Sequence, residues 1–268
     1  MERELPTINI EGAEFLVDVA KMELREKDNP ENTISVFEMW DRNDGTGYVV
    51  EFVKTEKVSN GVLRGKTVTA KIPEMITLDP EGMSQKYGVP LELFATKTDF
   101  DIMVDQTSLK QRLSGLLPVV DIVGHPFYVD IRMGMLRPKD DFMSQGIRFS
   151  EIENYYDDQK DMYWIPYNPK THEFQEIDWE TITEIPKDII PVSFPHETIL
   201  DPIGYNRIHG FDELSNLKET NVKSHFKAVQ IPWKETGLLE MIKENKAKSL
   251  NNKNIKNNPE KKGKGRKL

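Results

Sequence analysis

Apolar and polar residues alternate at the start of the chain, and this pattern predicts a β-hairpin. The alternation runs through residues 5–10 and 14–19, on either side of Gly12. Because successive side chains of a strand point to opposite faces, Phe15 and Val17 share one face. Glycine tolerates the positive φ that tight hairpin turns require, so Gly12 suits the turn position.

The same pattern returns 112 residues later, which indicates an internal duplication. Residues 5–25 and 117–137 are identical at nine of 21 positions, where chance gives about one or two. The identical pairs are Leu5 and Leu117, Pro6 and Pro118, Ile10 and Ile122, Gly12 and Gly124, Phe15 and Phe127, Val17 and Val129, Asp18 and Asp130, Leu24 and Leu136, and Arg25 and Arg137. We predict two similar domains or one pseudo-symmetric domain.

Weaker matches follow in the same order along the chain. They pair Ile34 and Glu38 with Ile147 and Glu151, Tyr48 with Tyr163, Ile72-Pro73 with Ile185-Pro186, Leu78-Asp79-Pro80 with Leu200-Asp201-Pro202, and Gly82 and Gly88 with Gly204 and Gly210. Each copy has a second predicted hairpin. In the first copy 48–57 and 62–72 flank Asn60-Gly61, and in the second 163–167 and 173–177 flank a proline turn.

The shared Leu-Asp-Pro sequence predicts a short helix in each copy. Asp79 and Asp201 are the expected N-caps, because an aspartate followed by proline is typical of a helix start. Gly88 and Gly210 are the expected helix ends. Two further helices are predicted, one over 108–113 with Thr107 as its cap and one that starts near Thr236.

We therefore predict an α+β fold in which strands are in the majority, built as a tandem duplication of units with β-hairpins and short helices. The predicted divisions are a first β-rich unit over 1–100, a linker helix over 101–116, a second β-rich unit over 117–235, a C-terminal helix over 236–250 and a disordered basic tail over 251–268.

Charge is unevenly distributed along the chain. The formal net charge is −9, but residues 241–268 carry +8 and the other 240 residues carry −17. An acidic body is expected to repel nucleic acids. The tail is expected to make an auxiliary contact with an acidic surface or, weakly, with nucleic acid; its alternative role is a solubilising end. Its basic cluster is Lys261, Lys262, Lys264, Arg266 and Lys267.

Several classes of chemistry have no support in the sequence. The chain contains no cysteine, which excludes disulfides, thiolate metal sites and cysteine nucleophiles. Phosphate-loop, dinucleotide-binding and nucleophile-elbow motifs are also missing, so we predict neither a cofactor nor a metal site. The charged first residues lack the apolar stretch of a signal peptide, and the most apolar stretch, 113–124, is too short to cross a bilayer. We predict a cytoplasmic protein without membrane association.

All five histidines lie in the second copy, so chemistry, if present, is expected there. The densest polar segment supplies His196, Asp201 and His209 as candidates for a catalytic or metal site. Their spacing matches no motif with a known mechanism, and Asp201 is already expected to cap a helix. The default interpretation is therefore surface and loop histidines.

The second copy also contains an aromatic-rich segment, from which Tyr155, Tyr156, Trp164 and Tyr167 are the candidate binding residues. Tyrosine and tryptophan are enriched at protein interfaces, although such residues also form hydrophobic cores. Nearby aspartates disfavour nucleic acid as the ligand. A recurring aspartate–arginine pair, Asp18 with Arg25 and Asp130 with Arg137, is interpreted as a bracing ion pair, with a ligand contact as the alternative.

These observations lead to one main hypothesis and two alternatives. The main hypothesis is a non-enzymatic binding or adaptor protein that contacts a protein partner through the second unit, assisted by the basic tail. One alternative is a metal-dependent or acid–base enzyme with a site around His196, Asp201 and His209. The other is an acidic decoy that mimics nucleic acid.

Overall fold

The computed structural model describes residues 3–42, 45–57 and 63–256, and these residues form a mixed α+β fold rich in strands. The strands are β1 (Thr7–Ile10), β2 (Ala13–Asp18), β3 (Glu23–Glu26), β4 (Thr33–Ser35), β5 (Trp40–Asp41), β6 (Tyr48–Lys57), β7 (Leu63–Ile72), β8 (Val119–Ile122), β9 (His125–Asp130), β10 (Met135–Pro138), β11 (Ile147–Arg148), β12 (Tyr156–Asp157), β13 (Met162–Asn168), β14 (Glu173–Phe174), β15 (Ile190–Pro195), β16 (His225–Lys227) and β17 (Val229–Gln230). The α-helices are α1 (Met75–Leu78), α2 (Pro80–Tyr87), α3 (Asp99–Met103), α4 (Gln106–Leu113), α5 (Phe149–Ile152), α6 (Glu197–Leu200), α7 (Pro202–His209), α8 (Leu217–Thr220) and α9 (Leu238–Lys256). Short 3-10 turns occupy Val36–Glu38, Leu91–Thr96, Ile131–Met133, Glu153–Tyr155 and Trp233–Glu235. The predicted α+β class is confirmed.

The chain divides into two compact units. The segment predicted as a linker, 101–116, lies almost entirely in the first unit, as parts of α3 and α4. Helix α8 also belongs to the first unit, where the Lys218 ammonium group pairs with Asp41 and lies 4.2 Å from the centre of the Tyr48 ring. Unit 1 comprises Met1–Leu113 and Leu214–Val222, and unit 2 comprises Ser114–Glu213 and Lys223–Leu268.

Unit 1 contains two antiparallel sheets, with strand orders β1-β2-β3-β4 and β5-β6-β7. The first predicted hairpin is confirmed, with Ile10 opposite Ala13 across a turn in which Gly12 has a φ of 90°. The second predicted hairpin is confirmed as well, because β6 and β7 pair along their whole length. Its Asn60-Gly61 turn lies outside the described residues.

Helix α2 begins and ends at the predicted residues. The Asp79 carboxylate accepts a hydrogen bond from the Gly82 amide at 2.9 Å, and Gly88 ends the helix in the left-handed conformation with a φ of 66°. Asp79 is only 1% exposed. Burial of a capping carboxylate makes this helix start part of the core of unit 1.

The buried carboxylate of Asp99 connects α3 to the start of α1. It accepts hydrogen bonds from the amides of Met75 at 2.6 Å and Ile76 at 2.9 Å, and from the Tyr48 hydroxyl at 2.5 Å. Burial, reinforced by the Asp99 charge, raises the pKa of Tyr48 above its ordinary value. Through Asp99, the segment after α2 provides acceptors for the free amides at the start of α1.

We expect Asp99→Ala to destabilise unit 1 strongly, because it leaves two buried amides and a buried hydroxyl without partners. The expected loss in the free energy of unfolding is about 3 kcal/mol, measured by urea denaturation. The matched control is Asp105→Ala, which removes an ordinary helix cap and is expected to cost about 1 kcal/mol. Equal losses in the two variants would contradict the bridging role of Asp99.

The cap of α4 differs from the prediction. Thr107 was the expected cap of a helix over 108–113, whereas α4 begins at Gln106 and Asp105 caps it. The Asp105 carboxylate accepts from the amides of Thr107 and Ser108, each at 2.9 Å. The Asp105 carboxylate is a stronger acceptor for these free amides than the Thr107 hydroxyl. The helix therefore starts two residues earlier than predicted, at Gln106.

Unit 2 contains two sheets built around one hydrophobic core. The first has the order β11-β10-β9-β8-β16, with β16 parallel to β8, and the second has the order β12-β13-β15-β17, with β14 paired to β13. Phe127, Val129, Ile165, Val192 and Phe194 are at most 1% exposed and belong to this core. The sheets therefore place their alternate side chains on a shared apolar interior.

The opening hairpins of the two units have the same local geometry. The Val17 amide donates to the Pro6 carbonyl at 2.8 Å, and the Val129 amide donates to the Pro118 carbonyl at 2.8 Å. The turn glycines Gly12 and Gly124 have φ values of 90° and 87°. In each turn the glycine amide donates to the side chain three residues earlier, which is Asn9 in unit 1 and Asp121 in unit 2.

The aspartate–arginine pairs brace these hairpins, as predicted. Arg25 lies 3.5 Å from Asp18 across β2 and β3, and Arg137 lies 3.3 Å from Asp130 across β9 and β10. Each aspartate also accepts a backbone hydrogen bond at 3.2 Å within its own turn. These carboxylates therefore hold the strands and the following turn together.

Strand pairing corrects one of the sequence matches. Ile72 lies opposite Tyr48, and Phe194 lies opposite Tyr163, so Phe194-Pro195 is the counterpart of Ile72-Pro73. The predicted counterpart, Ile185-Pro186, lies in the loop before β15. The predicted second hairpin partner of β13 is only the two-residue strand β14. The chain between β13 and β15 is long, and the sequence alignment therefore matched Ile72-Pro73 to a segment of this loop instead of to β15.

Helices in the rest of unit 2 largely follow the sequence. The Asp201 carboxylate caps α7 by accepting from the Gly204 amide at 3.0 Å, and Gly210 ends it with a φ of 73°. The last helix, predicted over 236–250, begins two residues later and continues to Lys256. The basic cluster of the tail lies outside the described residues. Among the described helices, none combines the length and apolar character that crossing a membrane requires.

Candidate functional site

The three predicted catalytic candidates all lie at the ends of α6 and α7. His196 immediately precedes α6, Asp201 precedes α7, and His209 is the last residue of α7. Asp201 is 1% exposed and its carboxylate is directed to the Gly204 amide. This position fits the helix-capping role.

The ring of Tyr205 lies between the two histidines. Its centre is 6.4 Å from that of His196 and 4.0 Å from that of His209, against which it stacks. The Nδ1 atom of His209 lies 2.9 Å from the Tyr205 carbonyl oxygen. Among the described residues, no three histidine, aspartate or glutamate side chains are placed to hold a metal ion together.

These rings form part of a continuous surface, which we call the histidine–tyrosine strip. Tyr156 lies 4.5 Å from His196 at one end, and Phe211 lies 6.2 Å from His209 at the other, measured between ring centres. Tyr156 is 36% exposed and Phe211 is 59% exposed. Strand β12 supplies one ring, and the α6–α7 segment with its following turn supplies the others. The strip consists of Tyr156, His196, Tyr205, His209 and Phe211. The buried ring of Tyr163, 2% exposed, packs against Tyr156 and His196 from the core.

The position of His196 in the fold favours its neutral form. Its Nδ1 atom accepts from the Thr198 amide at 3.3 Å and so caps α6. Burial lowers the pKa of His196 from its ordinary value, while the charge of Asp161 acts in the opposite direction. A protonated Nδ1 cannot accept, so the cap requires the unprotonated ring.

Acidic side chains surround the strip. Burial raises the pKa of Glu197, and repulsion from Glu153 adds to this effect. Burial raises the pKa of Tyr163, and the charge of Glu197 adds to this effect. At the exposed end, the Tyr156 hydroxyl donates to Asp161 at 2.7 Å, and this bond raises the pKa of Tyr156 to about 12.

The predicted aromatic binding residues divide into core and surface. Tyr155 and Tyr167 are 6% and 0% exposed and belong to the core, so neither presents a surface to a partner. Trp164 is half-buried, with its ring 5.1 Å from Tyr155 and 5.9 Å from Trp179. Tyr156 is the exposed member of the predicted set. Tyr155 and Tyr156 are neighbours in sequence, but neighbouring side chains of an extended segment point to opposite faces. The sequence alone does not show which of the two faces the core.

Each unit contains a pair of short helices of equal lengths and spacing, α1 and α2 in unit 1 and α6 and α7 in unit 2, at an offset of 122 residues. In unit 1 the carboxylate that bonds the strand tyrosine Tyr48 comes from Asp99, outside the helix pair. In unit 2 the carboxylate near the strand tyrosine Tyr163 is that of Glu197, within α6, and His196 caps α6.

The two helix pairs also differ in how far their side chains are exposed. Met75 and Met83 of unit 1 are 0% exposed, packed with residues of α3. Their counterparts at the 122-residue offset, Glu197 and Tyr205, are half-buried, and the helix ends at the exposed His209. The chain leaves unit 2 after Glu213. At these two matched positions unit 2 is partly exposed where unit 1 is fully buried, although α7 buries Pro202, Ile203, Gly204 and Asn206 and α2 only Gly82 and Met83.

Unit 2 also contains a separate cavity that the sequence did not predict. It has a volume of about 310 Å³ and is lined on one side by Pro126, Phe127 and Pro138 and on the other by His125, His172, Asp140 and Asp141. The restriction of all histidines to the second copy was the available signal. The 46 residues between the two cavity histidines carried no motif, because His125 lies in one sheet and His172 in a turn of the other, and only the packed fold brings them together.

Comparison of the chain with protein-family models, with curated proteins and with solved structures found no match. Fold and site together define a class only: a strand-rich α+β protein of two units, with an accessible histidine–tyrosine surface and a histidine-lined cavity in the second.

We expect His196→Ala to lower the free energy of unfolding by about 1 kcal/mol at pH 7.5, because it removes the α6 cap. His196→Asn retains an acceptor and is expected to be near neutral. Since the folded state lowers the pKa of His196 below 6.5, its contribution is present above that pH and is lost as the pH falls. His196→Asn is therefore expected to lose less stability than the natural protein between pH 7.5 and 5.

Urea denaturation of the natural protein and both variants at the two pH values measures this effect. His125 titrates equally in all three proteins, so the comparison isolates His196. An identical pH dependence in the natural protein and His196→Asn would contradict the capping role of the neutral ring.

Proposed function

We propose that this is a non-enzymatic binding or adaptor protein whose histidine–tyrosine strip receives a segment of a protein partner. The observation that carries the proposal is the contrast between the two helix pairs. In unit 1 Asp99, at the start of α3, bonds the amides that begin α1. In unit 2 His196 caps α6, and the rings of the strip are partly or fully exposed.

The composition of the strip supports a protein partner. Tyrosine, phenylalanine and histidine rings offer large contact areas at a small cost in side-chain entropy, and such anchors dominate interface energetics. Ile208, 51% exposed, adds apolar surface beside Phe211. A surface of this kind is expensive to leave in water unless a partner covers it.

The chemistry around the strip favours an apolar segment with basic side chains. Glu153, Asp158, Asp161 and Glu197 place negative charge along it. The covering segment of unit 1, a 3-10 turn over Leu91–Thr96 followed by α3, suggests a partner segment of short helical turns. The acidity of the body disfavours nucleic acid on this surface.

Tandem duplication provides the evolutionary basis of this proposal. Nine identities in 21 positions, the matched hairpin geometry at an offset of 112 residues and the matched helix pair at an offset of 122 residues support a common origin of the two units. In this account unit 1 retained a covered helix pair, and unit 2 acquired histidines and an accessible one.

The remaining parts of the proposal concern the tail and the cellular compartment. The basic tail supplies an auxiliary electrostatic contact that is sensitive to salt, because its lysines interact through charge alone. The complete lack of cysteine supports a cytoplasmic location.

The proposal is tested by a photo-crosslinking amino acid at position 211 in unit 2 and, as a control, at position 40 in unit 1. Phe211 and Trp40 are equally exposed, at 59% and 60%. We expect a defined partner to be crosslinked from position 211 and not from position 40.

Affinity for the purified partner is then measured for Phe211→Ala, His209→Ala and the control Trp40→Ala. Loss of a central aromatic anchor is expected to weaken binding about tenfold or more, whereas the control is expected to leave it unchanged. Crosslinking from position 40 alone, or equal affinity in all variants, would overturn the proposal.

A further inference from the structure

The His125–His172 cavity has a fixed arrangement of hydrogen-bonding atoms. The Asp141 carboxylate lies 2.6 Å from Nδ1 of His172 and also accepts from the Met143 amide at 2.9 Å. These bonds, the amide first, lower the pKa of Asp141. In the neutral form of the His172 ring, its bond to the Asp141 carboxylate places the proton on Nδ1, and the Nε2 atom is then an acceptor.

The two imidazoles are stacked in a way that opposes protonation. Their ring centres are 3.4 Å apart and the rings are inclined by 31°. Burial, together with repulsion from His172, lowers the pKa of His125. His172 adopts a left-handed backbone with a φ of 58°, a conformation that costs energy for a non-glycine residue and that the surroundings must enforce.

The cavity contains acceptors and negative charge without a compensating cation. Asp140 lines it and has no hydrogen bond or ion pair with any described residue. No lysine or arginine lines the cavity. Such a site repels anions and attracts a cationic donor.

Geometry disfavours a shared metal ion. Two imidazoles bound to one tetrahedral zinc ion through nitrogens at about 2.1 Å hold their ring centres about 5 Å apart. The observed 3.4 Å is too short for this arrangement. A flat organic cation, by contrast, matches a cavity with the Phe127 ring and two prolines on one side and acceptors on the other.

We propose that the His125–His172 cavity binds a guanidinium group, with Asp140 as its charge partner and His172 Nε2 as a second acceptor. The cavity volume of about 310 Å³ is at the lower end of the range for small-ligand sites, which suits one such group. A guanidinium forms paired hydrogen bonds with a carboxylate and lies flat against rings.

The source of the guanidinium is either a free small molecule or an arginine side chain of a polypeptide. The rim of the cavity favours the polypeptide. Phe142 and Met143, which directly follow Asp141, are 96% and 90% exposed. Two adjacent apolar side chains at this exposure offer contacts to the residues that flank an arginine.

The test is an NMR titration of the full chain with N-acetyl-arginine methylamide at pH 7.5, observed at the histidine ring protons. The neutral citrulline counterpart is the ligand control. We expect the arginine derivative to shift the signals of His125 and His172 and to leave His225 unchanged. Asp140→Asn is expected to weaken binding about tenfold, and the surface control Asp158→Asn is expected to have no effect.

Two more arms complete the test. Binding is expected to weaken at pH 5.5, because protonation of His125 adds positive charge among Asp121, Asp140, Asp141 and Glu173, with Lys139 nearby. An acetylated Leu-Arg-Leu amide is expected to bind more tightly than the single-residue derivative and to lose that advantage in Phe142→Ser/Met143→Ser. An equal affinity of the two ligands would assign the site to a free small cation.

The proposal is overturned if the citrulline derivative binds as well as the arginine derivative, or if Asp140→Asn and His125→Ala leave binding unchanged. His125→Ala restores the residue type that unit 1 has at the matching position, Ala13, which guards against a folding defect. The titration involves neither the strip nor a protein partner, so its outcome is independent of the function proposed above.

Discussion

The free amides that begin a short buried helix need acceptors inside the protein, and the two units meet this need differently. Unit 1 uses the Asp99 carboxylate, which also bonds Tyr48 and so anchors α3 over the helix pair. In unit 2 His196 caps α6, and Glu197 lies near Tyr163. The proposed binding surface of unit 2 depends on this difference, because the start of α6 takes its acceptor from the adjacent residue.

Local features of the fold were predictable from sequence, and features that depend on distant residues were not. The Gly12 turn and the Asp79 and Asp201 caps were correctly predicted, because turn and cap chemistry involves residues a few positions apart. The pairing of β13 with β15 was not, since a long excursion separates them. The bridging role of Asp99 depends on a contact with Tyr48, 51 residues away, which no local pattern reveals.

The candidate sites show the same limit. Restriction of histidines to the second half of the chain pointed to unit 2, where the ring of His196 lies against that of Tyr156. Sequence could not separate Tyr156 from the buried Tyr155, because this depends on which face of the sheet the core occupies. The stacked pair of His125 and His172 required the packing of two different sheets, and its only sequence signal was composition.

The central claim, that the helix pair is covered in unit 1 and accessible in unit 2, can be measured directly because the chain has no cysteine. Single cysteines are placed at the matched positions 83 and 205, and their rates of maleimide labelling in the folded protein are compared. The account predicts labelling of Tyr205→Cys about 100-fold faster than that of Met83→Cys, since the buried site reacts only after local opening. Equal protection of the two thiols would contradict it.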